Sequence, residues 1–121
     1  MKRTKIKIPI YDSTIILIHI EGKQDKDKIL KEMKSFNCPQ EDIEDVQKSI
    51  EEEDTNGGWT FRKMGLRLFL VMILPCVNEE IRRDIVAHEK RHVEDRLLQH
   101  CSIDDIEASA YLAGYLARYM Y

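Results

Sequence analysis

His88-Glu89-Lys90-Arg91-His92 sets two histidines four residues apart, with a glutamate directly after the first. On a helix, residues i and i+4 share one face, about one turn apart. Two neutral imidazoles in that position can hold one zinc ion, and Glu89 can act as base toward a water on that ion. No other stretch of the 121 residues names a reaction class.

The pattern is short enough to arise by chance, so its surroundings must support it. Asn78 suits an N-cap, and Glu79 and Glu80 are acids where a helix dipole favours them. Ile81, Ile85, His88 and His92 follow at i, i+4, i+7 and i+11, which is one helical face. Val86, Val93 and Leu97 widen the apolar stripe, while Arg82, Arg83, Lys90, Arg91, Glu94 and Asp95 take the remaining circumference. The spacing therefore predicts histidines that face inward from the middle of an amphipathic helix. The bland alternative is a pair of half-buried histidines bonded to carboxylates, which leaves Glu89 between them unexplained.

Two histidines make too open a site for a catalytic metal, which usually has three protein ligands and a water. Past a short connection after Leu98, Ser102 can cap a final helix with Asp105 three residues on. That helix offers Asp104, Asp105 and Glu107. Asp104 and Asp105 are accounted for by the first turn. Glu107 shares its face with the small residues Ala110, Gly114 and Ala117, which would let two helices approach closely. Glu107 is thus the leading third ligand, with His100 as its rival and Cys101 as a thiolate alternative.

The elements that must carry these residues follow from periodicity. Lys5 to Tyr11 alternates as a half-buried strand does, and Asp12-Ser13 turns the chain. Thr14 to Ile20 reads as a buried strand, with His19 a structural member. Asp25 to Phe36 reads as a helix with Ile29, Leu30 and Met33 inward, broken by Asn37-Cys38-Pro39. Pro39 to Asp54 reads as an acidic second helix with Ile43, Val46 and Ile50 inward, and the run Glu51 to Asp54 as a solvated end. Asn56-Gly57-Gly58 marks a turn. Trp59 to Arg62 and Leu66 to Leu74 then form a hairpin through Lys63-Met64-Gly65.

Composition bounds the rest. Hydrophobic residues make up 43% and charged residues 34%, as in a soluble globular chain with one core. The longest apolar run, Leu68 to Pro75, suits a strand and not a membrane span. No signal-peptide pattern follows the basic N-terminus. Three widely spaced cysteines, Cys38, Cys76 and Cys101, read as free thiols of the cytoplasm. A net charge of −3 gives little support to nucleic-acid binding.

Gly58-Trp59-Thr60, the strand Leu66 to Leu74, Ala87 to His92 and Glu107-Ala108-Ser109-Ala110-Tyr111-Leu112 together resemble the gluzincin zinc metallopeptidases. The likeness is closest to small single-domain members of phage and mobile-element type, and it covers roughly residues 57 to 118. The resemblance implies an α+β, zincin-like fold over residues 1–121. A small mixed or antiparallel sheet would pack on helices, with an active-site helix and a Glu-bearing helix after it. It implies His88, His92 and Glu107 as ligands of Zn2+ and Glu89 as general base in peptide hydrolysis. Larger gluzincins often carry an acid one turn after the ligand glutamate, where this chain has Tyr111, and Asp84 or Asp95 are the substitutes that helix spacing offers. Tyr111 and Tyr115 are candidates to donate to an oxyanion. The strand before the active helix could pair with an extended peptide or protein substrate. The chain lacks the second domain that usually walls the other side of a cleft, so a homodimer or partner protein is expected to complete it. The alternative is a non-catalytic zinc-binding protein that uses the ion to staple helices or present a surface. Tyr119, Met120 and Tyr121 are left as an interface or as core.

Overall fold

The structure is a computed structural model that describes residues 1–63, 67–100 and 106–121, without the side chains of Ile10, His100, Ile106, Glu107 and Ala108. Among the described residues, four strands form one mixed sheet in the order β1-β2-β4-β3. β1 (Lys2–Ile8) and β2 (Ser13–His19) are antiparallel, β2 and β4 (Leu68–Ile73) parallel, and β4 and β3 (Gly58–Lys63) antiparallel. The first strand starts earlier than alternation suggested and ends at Ile8. Pro9–Tyr11 is a 3-10 turn, because proline fits its first position and Asp12 follows at φ 47°.

Helices cover both faces. α1 (Lys26–Ser35) stops where Asn37 takes φ 63°, and α2 (Gln40–Glu51) opens directly after Pro39. Ile29, Met33, Ile43, Val46 and Ile50 from this pair meet Ile18, Leu70 and Met72 on one face of the sheet. On the other face, Ile15, Leu17, Phe69, Val71 and Ile73 meet α3 (Glu79–His100) and α4 (Ile106–Tyr119) through Val86, Val93, Leu97, Leu112 and Leu116. β2 and β4 lie inside the sheet with both faces covered, which is why each is an almost unbroken apolar run. The α+β architecture expected from the sequence is present. No helix among the described residues is long and apolar enough to cross a membrane.

The start of α3 follows its cap. Asn78 Oδ1 accepts a 2.8 Å hydrogen bond from the Ile81 amide, and Glu79 pairs with Arg82 on the next turn. The acidic end Glu51 to Asp54 is exposed, as expected. Met120 is fully buried in the core, one of the two roles considered for it, while Tyr119 and Tyr121 are exposed. Cys38 and Cys76 are free thiols. The hairpin link at Met64-Gly65, the cap at Ser102, and Cys101, Asp104 and Asp105 lie outside the described residues.

Candidate metal centre

His88, Glu89 and His92 come together near the middle of α3, with one ligand-type atom from each within 4.8 Å of the others. The two histidine Nε2 atoms are 3.2 Å apart, and the rings meet edge to face with centroids 4.7 Å apart. Two bonds of about 2.05 Å at a tetrahedral angle would put a pair of donor nitrogens about 3.3 Å apart. The group is therefore positioned to bind a metal ion, and its donor chemistry fits one.

The orientation of the helix corrects one expectation. The histidines do not face inward; both are exposed. The buried face is Val86, Glu89, Val93 and Leu97, at i, i+3, i+7 and i+11, and Glu89 is only 3% exposed. Ile81 and Ile85 share a face with the histidines, but both are only half-buried. The sheet thus receives the carboxylate, and the two imidazoles flank it toward solvent.

Glu89 reaches a built environment on β3. Trp59 and Phe61 pack with the α1–α2 core, so strand alternation turns Gly58, Thr60 and Arg62 toward α3. Thr60 Oγ1 donates to Glu89 Oε1 at 3.3 Å. Glu89 Oε2 is buried and has no hydrogen-bond partner among the described residues. Gly58 leaves the space that Glu89 fills: a Cβ there would stand 3.2 Å from Glu89 Cγ and 2.9 Å from the Met72 carbonyl oxygen. Two further contacts hold β3 to α3. Arg96 Nη1 donates to the Thr60 carbonyl at 3.0 Å, and Arg62 Nη1 to the Arg96 carbonyl at 3.4 Å. From sequence, Thr60 figured only within the segment Gly58-Trp59-Thr60, and Arg96 not at all. The signal available was Thr60 alternating with two aromatics beside the glycine pair.

The side chains of Glu107 and His100 lie outside the described residues, as does Cys101. The small-residue face expected to bring α4 against α3 is not the contact face. Ala110, Gly114 and Ala117 are exposed, and a Cβ on Gly114 would meet nothing within 4 Å. α4 packs instead through Leu112 and Leu116, because these larger side chains bury more apolar surface. Tyr115 donates its hydroxyl to the Lys7 carbonyl on β1, at the opposite sheet edge from β3, so it is committed to structure. Tyr111 is 51% exposed on α4 and its ring stacks on Tyr115. Asp84 is exposed, and Asp95 pairs with Arg91 at 3.2 Å. β4 cannot accept a peptide by edge addition, since β2 and β3 occupy both its sides; the edge strand beside the centre is β3.

His19 lies on β2 near Arg82. Burial lowers its pKa below the ordinary value, and the charges of Arg82 and Lys2 lower it further. That environment suits the structural role expected for it.

The chain matches no protein-family model, no curated protein and no solved structure.

Proposed function

We propose that this protein is a zinc-dependent peptidase in which His88 and His92 hold the metal, Glu107 completes the ligand set and Glu89 is the general base. The observation that carries the reading is the buried Glu89 carboxylate. One oxygen is fixed by Thr60, and the other is buried with no partner among the described residues, which costs stability unless it serves a purpose. Zinc bound there would supply Lewis acidity toward a water and a peptide carbonyl. Glu89 Oε2 accepts the water proton and passes it to the leaving amine. Thr60 keeps Oε1 occupied, so the proton goes to one defined oxygen. An extended substrate lies along β3, the edge strand whose Thr60 touches Glu89. The resemblance to gluzincins supports the same assignment, and Tyr111, exposed on α4, is proposed as the oxyanion donor.

The test is peptide hydrolysis and metal content of wild type against Glu89→Gln. The variant should keep its zinc and lose about 10²–10⁴-fold in rate. Loss of zinc from the variant would make Glu89 a ligand. Zinc-loaded wild type with no hydrolysis of a peptide library would favour the non-catalytic zinc reading.

A further inference from the structure

A cleft of about 560 Å³ runs beside the open edge of β3. The α1–α2 corner around Pro39 forms one wall, and Arg96 and Gln99 of α3 form the other. Thr60 lines this cleft and also touches Glu89, so the cleft adjoins the candidate metal centre. The Leu74 amide bonds the Gly57 carbonyl at 2.8 Å, which fixes the register: Gly58, Thr60 and Arg62 turn their backbone groups away from β4, toward the cleft. Among the described lining residues, Arg62, Lys63 and Arg96 are cationic and Asp42 is the one carboxylate. The groove is thus basic on a chain whose net charge is −3.

We infer that this groove selects an extended acidic peptide segment, with Arg96 acting as an exchangeable latch. Arg96 occupies the Thr60 carbonyl, the acceptor that an added strand needs for its own amide. The incoming peptide amide takes that carbonyl. The released guanidinium then pairs with a peptide carboxylate, assisted by Lys63. A peptide with lysine at the same place displaces Arg96 and gives it nothing to bind, so discrimination comes from the exchange as well as from net charge. This inference rests on the peptidase reading and names its substrate class.

The experiment is fluorescence anisotropy with short labelled peptides carrying Glu, Gln or Lys at alternate positions, on the full-length Glu89→Gln protein. The Glu peptide should bind at least about tenfold more tightly than the Lys peptide, and the difference should shrink in high salt. Arg96→Glu should erase or invert the preference. Lys63→Glu, at the strand end, should move it in the same direction without touching the Thr60 carbonyl. Equal binding of the peptides, or an unchanged preference in both variants, overturns the inference. An oligonucleotide that competes as well as the Glu peptide overturns it in favour of phosphate, and self-association abolished by Lys63→Glu overturns it in favour of a second copy. Selective binding without cleavage by zinc-loaded wild type leaves the groove standing and removes the peptidase. Cleavage without charge preference does the reverse.

Discussion

Gly58 and Glu89 occupy one space: the glycine's missing side chain is where the glutamate's Cγ approaches β3. The requirement is room and not backbone conformation, because the nearest obstacle to a Cβ is the Met72 carbonyl, which cannot swing aside as a side chain could. Gly58→Ala should therefore lower stability by about 1–3 kcal/mol, as overpacking does. It should also displace Glu89 and reduce hydrolysis. A urea midpoint and a rate, both equal to wild type, would show that the contact is slack.

Thr60 tests how the base is held. Thr60→Val keeps the shape and removes the 3.3 Å donor to Glu89 Oε1. A buried acceptor left without its donor costs about 1–3 kcal/mol. The expected kinetic result is a fall in kcat with little change in KM and full metal content. A change in KM alone would place Thr60 in substrate binding.

The ligand set predicts metal content. Even residues that only orient a ligand typically cost about 10–100-fold in metal affinity when changed, so His88→Ala and His92→Ala should each exceed that. Glu107→Ala should also weaken zinc. Full stoichiometry in Glu107→Ala would give the third place to another donor, and full stoichiometry in all three would end the assignment.

His19 predicts an acid-side loss of stability. Its folded pKa lies below the ordinary 6.5, through burial first and then Arg82 and Lys2. As pH falls below 6.5 the unfolded chain takes up the proton before the folded one does, so stability falls through that window down to the folded pKa. His19→Gln should flatten the dependence of the urea midpoint on pH below 6.5. An unchanged slope would assign that loss to other groups.

The parts of this fold set by neighbouring residues were legible in the sequence. Asn78 caps α3 because its side chain reaches an amide three residues away, and Pro39 opens α2 for an equally local reason. The parts set by approach of distant segments were not. Ile81 and Ile85 made the histidine face look apolar, yet the sheet took the face centred on Glu89 because Gly58 leaves room there. Leu68 to Ile73 read correctly as a buried strand, but its place between β2 and β3 depends on a parallel pairing across some fifty residues. Ala110, Gly114 and Ala117 fit a close contact or an open surface equally well until the partner helix is in place.

Among the described residues, β3 is hydrogen-bonded to the sheet along one side only. Edge segments open at a lower free energy than the interior of a sheet. Fraying of this one strand would at once withdraw Thr60 from Glu89, detach Arg96 from its carbonyl and widen the groove. The integrity of the centre is then governed by a local opening of six residues, Gly58–Lys63, and not by the global unfolding of the chain. Amide exchange along β3 should report on the site more directly than any melting curve.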